Sequence, residues 1–183
     1  MNIQPASLPH FFLKPGDMAF AEQSCVISTL LGSCVAITMT SRRLGIGAIC
    51  HALLPACQDR NRCNGCTELF RHVECSVQGM IEAFLVRGVP CSGIEAKLFG
   101  GADMFRTDTA RDGEYSVGRQ NIDKARNTLA AEGIRLVATD VGGTQGRKII
   151  FYPHTGEVFL RRLTSMALAG GMSAARRTRG QVS

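Results

Sequence analysis

Residues 28–51 read STLLGSCVAITMTSRRLGIGAICH. A run of small and β-branched residues, Cys34–Thr40, is separated by the polar break Ser41-Arg42-Arg43-Leu44 from a second such run, Gly45–His51. Two such runs around a short polar break predict a β-hairpin. With the turn centred between Arg42 and Arg43, opposite residues have numbers that sum to a constant, and Cys34 falls directly across from His51. Directly opposed side chains have Cβ atoms about 4.5–5.5 Å apart, within reach of a hydrogen bond. Val35, Ile37 and Met39 share a face with Cys50, Ala48 and Ile46, and this apolar face is expected to meet the core. Cys34, Ala36, Thr38 and Thr40 share the other face with His51, Ile49, Gly47 and Gly45. That face is small and mixed, open to a helix or a substrate. Register carries the argument, because a one-residue slip sends the thiol and the imidazole to opposite faces.

Working outward, residues 1–16 read as an irregular lead with Pro5, Pro9 and Pro15, and 17–22 as a short strand. Residues 56–66 form a polar, Cys-rich loop. Leu69, Phe70, Val73, Val77, Met80, Ile81 and Phe84 recur at helical spacing and predict a helix from Thr67 to about Arg87, stopped by Gly88 and Pro90. A strand over 94–99 ends in Gly100-Gly101, and 103–115 read as loop. Ser116 is placed to cap a helix that runs to about Glu132 and stops at Gly133. Arg135–Val141 is a strand, and Lys148–Tyr152 with Glu157–Leu163 form a second hairpin. Residues 164–183 are an Arg-, Gly- and Ala-rich tail, expected to be loosely ordered. Strands do not alternate regularly with helices, so the chain is read as an α+β layered sandwich, one domain over 1–163.

Composition bounds the function. Of 183 residues, 45% are apolar and 20% charged, enough to bury a core. No apolar run reaches the length of a membrane-spanning helix. The N-terminus lacks the pattern of a secretory signal, which points to the cytoplasm. In that compartment the eight cysteines are expected as thiols, metal ligands or a nucleophile rather than disulfides. The net charge of +6 favours an acidic partner. Absence of tryptophan and of basic–aromatic interleaving argues against nucleic acid.

A cysteine beside a histidine suits nucleophilic catalysis, since the imidazole eases formation of the attacking thiolate. Gly32 lets the backbone approach a substrate, and amides near Ser33 and Cys34 suit a developing oxyanion. A third group should orient the imidazole, with Ser28 or Thr29 nearby and Asp140 more distant. A structural strand histidine bonded to a carbonyl is the competing reading.

These residues resemble the CheD family of chemoreceptor glutamine deamidases. The likeness rests on STLLGSCVAIT at 28–38, GAICHALLP at 47–55, EAKLFGGADMF at 95–105, VGRQNI at 117–122 and ATDVGGTQGRKIIFYPHTGEVFLRRL at 138–163. It implies a three-layer α/β/β sandwich similar to bacterial toxin deamidases. It implies hydrolysis of particular glutamines on the cytoplasmic helices of methyl-accepting chemotaxis receptors, giving glutamate and ammonia without a cofactor. The nucleophile then matches Cys34 and the general base His51. The family's third residue is a threonine six places before the cysteine, which here is Ser28 with Thr29 beside it, so both stay open. The resemblance also implies a CheC-type phosphatase as partner. It suggests that Phe99-Gly100-Gly101 borders the cleft or a partner surface.

Cys57, Cys63, Cys66, His72 and Cys75 form a separate group, and Cys63-Asn-Gly-Cys66 has zinc-knuckle spacing. A site from Cys63, Cys66, His72 and Cys75 is stereochemically open to zinc. With a single CxxC, loop thiols are the favoured reading, a disulfide or redox pair is the other alternative, and no metal is expected. Other functions in view are a binding module that regulates a CheC-type phosphatase, a metal-binding adaptor and a generic thiol hydrolase. His10 has no argued role, and His154, in a hairpin turn, is expected to be solvated.

Overall fold

In the computed structural model, residues 8–57, 69–103 and 116–163 are described. They form nine strands and two α-helices in two sheets. The first strand, β1 (His10–Phe12), interrupts what the sequence suggested was an irregular lead; Phe11 and Phe12 lie at a sheet edge, over half exposed. Then follow β2 (Met18–Ala21), β3 (Val26–Leu31), β4 (Val35–Ser41) and β5 (Ile46–Ala52). A short 3-10 turn at Leu69–Arg71 precedes α1 (Val73–Leu85), so the helix starts later than the expected Thr67. After β6 (Glu95–Gly100) come α2 (Val117–Ala131), β7 (Arg135–Val141), β8 (Arg147–Tyr152) and β9 (Glu157–Arg162). Ser116 caps α2 as expected, its hydroxyl accepting from the Arg119 amide at 3.3 Å. The 164–183 tail and most of the Cys-rich loop lie outside the described residues.

One sheet has the order β2-β5-β4-β6-β7, the other β1-β3-β8-β9. In the five-stranded sheet β4 is antiparallel to β5 and β6, while β6 and β7 run parallel with α2 as the crossover. The β4–β5 hairpin exists, but its register differs from the expected one. Ser41 pairs with Ile46 and Ala36 with His51, so the turn is centred one residue later, between Arg43 and Leu44. Each strand begins one residue later than its apolar run, and Cys34 is left just before β4. Numbers now sum to two more than expected, an even shift, so every side chain keeps its predicted face.

That face rule builds two cores. Val35, Ile37, Met39, Ile46, Ala48, Cys50 and Ala52 pack with Val77, Met80 and Phe84 of α1 and Ile122, Ala125 and Leu129 of α2. Ala36 and Ile49, from the opposite face, pack with Ile27, Leu31, Ile149 and Phe151 of the four-stranded sheet. The mixed face therefore receives neither helix nor open cleft along most of its length, but the second sheet. Among the described residues no helix is long and apolar enough to cross a membrane.

Candidate active site

The site forms where β3 and β5 end and β4 begins, beside the turn Gly32-Ser33-Cys34. Cys34 is half-buried against the inter-sheet core, on the side shared by Ala36 and His51. It is a diagonal, not a direct, neighbour of His51. Such positions lie roughly 7–8 Å apart along a ladder, still within reach of a substrate group lying between them.

His51 is buried at 2% exposure, and its ring is held by one hydroxyl. Thr29 Oγ1 lies 2.8 Å from His51 Nδ1, and the same oxygen donates to the carbonyl of Leu13 at 2.9 Å. A threonine hydroxyl has a single proton. With that proton committed to Leu13, Nδ1 must carry the hydrogen and donate it to Thr29. Nε2 then holds the lone pair, and it is buried with no protein partner among the described residues. This is the tautomer a general base requires.

Of the two hydroxyls the sequence left open, the structure brings only Thr29 to the imidazole. Alternation along β3 turns Ser28 to the other face, where its Oγ lies 2.8 Å from His10 Nε2. Asp140 is also elsewhere: it binds Arg147 at 2.7 Å and Arg162 at 2.9 Å.

Electrostatics set the resting state. Burial pushes the His51 imidazole down to about 4, opposed by the charge of Asp17 and by the nearby backbone carbonyl of Leu13. Burial pushes the Cys34 thiol above its ordinary 9.0, and only a backbone hydrogen bond works against this. Both groups are therefore neutral near pH 7 and not a preformed ion pair. Cys50, adjacent to His51 in sequence, faces the helix-side core and is pushed up to about 11, which leaves it inert.

The turn that carries Cys34 is pinned through its carbonyls. Gly101 N–H donates to Cys34 O and Ala102 N–H to Gly32 O, each at 2.8 Å. Gly100 makes this approach feasible. Its φ is +101°, and a Cβ there would lie 2.3 Å from the Cys34 oxygen. The Phe99-Gly100-Gly101 segment, the end of β6 and the residue after it, thus lies against the turn that bears Cys34. The amides of Gly32, Ser33 and Cys34 find no backbone acceptor among the described residues. Two cavities, of about 340 and 550 Å³, flank the region; Cys34 and His51 line neither.

Of the suggested metal ligands, Cys63 and Cys66 lie outside the described residues. His72 is the N-cap of α1, not a residue within it, and Cys75 is buried in the first turn. Among the described residues no three His, Cys, Asp or Glu side chains cluster as a metal site.

A family model for CheD chemotactic sensory transduction matches residues 53–162. A probable chemoreceptor glutamine deamidase CheD 2 from Geobacter sulfurreducens is 47% identical over 163 residues, covering 89% of this chain and 96% of that protein. A probable chemoreceptor glutamine deamidase CheD from Oleidesulfovibrio alaskensis is 38% identical, covering 87% of this chain and 76% of that protein. One from Thermococcus kodakarensis is also 38% identical, over 82% and 91%. The matched family model starts after His51, whereas the 163-residue similarity to the Geobacter protein is long enough to span both Cys34 and His51. A solved structure, the hypothetical protein YfiH of Bacillus licheniformis, is similar at TM-score 0.46 and 11% identity, over 70% of this chain and 51% of that one.

Proposed function

The chain belongs to the CheD family, and from that premise we propose that it is a cytoplasmic protein-glutamine amidohydrolase acting on the helices of chemotaxis receptors. Its relatives' names carry the substrate class. The observation that favours the chemistry is the hydrogen-bond chain Leu13 O–Thr29 Oγ1–His51 Nδ1, which leaves a buried imidazole whose basic Nε2 is unpaired among the described residues. We read the layers as a three-layer α/β/β sandwich of the toxin-deamidase kind, in a single domain over 1–163.

In this reading Cys34 attacks the glutamine side-chain carbon while His51 Nε2 takes the thiol proton. Proton loss accompanies attack, because neither group is ionised beforehand. The amides at Ser33 and Cys34 bind the oxyanion, with Gly32 admitting the carbonyl closely. Protonated His51 returns its proton to departing ammonia, leaving a Cys34 thioester. Water, activated by His51, hydrolyses that thioester to glutamate and restores the thiol. Carbon, nitrogen and protons balance without a cofactor. Thr29 is the orienting group, and Ser28 is not.

Mass spectrometry of a co-expressed receptor fragment tests this. Wild type is expected to convert glutamine to glutamate, and Cys34→Ser to fold normally and convert none. Conversion by Cys34→Ser overturns the assignment. The second reading, regulation of a CheC-type phosphatase, draws on family resemblance alone; stimulation of such a phosphatase by Cys34→Ala would support it as an additional role.

A further inference from the structure

Asn121, part of the VGRQNI segment, has so far no role. It sits on the sheet-facing side of α2 and is completely buried. Its amide nitrogen donates to two backbone carbonyls from distant parts of the chain: Ser33 at 3.3 Å and Leu53 at 2.9 Å. Ser33 precedes Cys34, and Leu53 follows His51 by two residues. The side chain therefore ties the turn that bears the thiol to the strand end that bears the imidazole. Both acceptors are carbonyls, so the bonding atom must be the nitrogen. Its oxygen, Oδ1, is buried without a partner among the described residues.

This is a poor arrangement for stability alone. An unmet buried acceptor is destabilising, and an apolar residue would fill a helix–sheet contact without it. The gain lies in the peptide plane. The Ser33 carbonyl and the Cys34 N–H belong to one rigid peptide unit. Gripping the carbonyl fixes the direction of the amide. Gly101 and Ala102 already hold the carbonyls of Cys34 and Gly32 on either side. Asn121 holds the one between them.

We infer that Asn121 is a positioning residue that aims the Cys34 amide at the developing oxyanion. The inference rests on the Cys34 reading above. Losing the aim of one such donor should act in the transition state and barely at all on substrate binding.

The test uses Asn121→Ala, which removes the donor, and Asn121→Leu, which replaces it with an apolar side chain of similar size. Ammonia release from a glutamine-bearing receptor fragment is measured on the full chain, well below each variant's unfolding midpoint. Alkylation of Cys34 by iodoacetamide, which needs no oxyanion site, runs in parallel. Both variants should lose kcat by about tenfold or more, keep KM within about threefold and alkylate at the wild-type rate. A folded variant with wild-type kcat overturns the inference. So does loss of kcat together with loss of alkylation, which would make Asn121 mere scaffolding. If Cys34→Ala still releases ammonia, the catalytic reading itself has failed. If Cys34→Ala is inactive while both Asn121 variants are fully active, this inference alone has failed.

Discussion

Thr29 carries more of the site than its size suggests, since one oxygen accepts from the imidazole and donates to Leu13. Thr29→Ala should lower kcat by roughly a hundredfold, the order of a general-base contribution, because the ring is free to turn or change tautomer. Thr29→Ser should recover most of it. Ser28→Ala, on the other face of β3, should leave kcat within about twofold, as the hydroxyl it removes bonds only His10 among the described residues. Ammonia release by the three variants decides the matter. The sequence left Ser28 and Thr29 open because neighbouring strand residues point to opposite faces, and which face met His51 depended on a partner strand not yet paired. Thr29 shares the face of β3 on which Ile27 and Leu31 meet the other sheet, a choice made by packing between residues remote in sequence.

The same residue scale sets the pH dependence. An imidazole held near 4 is still neutral at pH 5, so the acid limb of kcat/KM should fall near pH 4 rather than near 6.5. Stability behaves differently. The unfolded chain protonates His51 below about 6.5 and the folded chain only near 4, so the unfolded state binds more protons between them. Stability attributable to His51 is complete above pH 6.5 and is lost as pH falls towards 4, by roughly 3 kcal/mol in all. Denaturant titrations at stepped pH check the sign: His51→Gln should flatten the slope. An unchanged slope in that variant would show that other groups govern it.

At the scale of elements, the central relation is between the end of β6 and the turn before β4. Gly100 occupies a left-handed conformation hard against the Cys34 oxygen. Gly100→Ala should cost at least about 1–3 kcal/mol of stability and displace the turn. Activity at permissive temperature should fall with it; a fully active, equally stable variant would show that the turn adapts freely. Much at this scale was legible. The bounds of β7, the second hairpin, the Ser116 cap and the two faces of the first hairpin all follow from local pattern. The register did not, because Arg42, Arg43 and Leu44 all suit a turn and the choice among them is made by the neighbours β2 and β6. Nor did β1, a three-residue edge strand held by parallel pairing to β3, whose short run has no period of its own.

For the whole molecule, the two sheets are joined by charge as well as by apolar packing. Arg147 of β8 is 1% exposed and binds Asp140 of β7, and its two terminal nitrogens donate to the carbonyls of Gln145 and Gly142. Arg162 of β9 shares the same carboxylate. Asp140→Ala would leave the buried guanidinium without its counter-charge and should cost about 3 kcal/mol or more. Thermal unfolding measures it. Arg147→Met, which removes charge and fills space, should cost less than Asp140→Ala; the reverse order would show that the pair contributes chiefly through packing. This joint was invisible in sequence, where Asp140 read as a remote candidate for the imidazole.

Leu13 stands outside every motif, yet its carbonyl terminates the chain of hydrogen bonds that selects the histidine tautomer. Choosing where to begin a recombinant version is therefore a chemical decision. A clone started at Ser28, where the motif-bearing sequence begins, or one whose affinity tag crowds β1, would forfeit the anchor on which the proton's location depends.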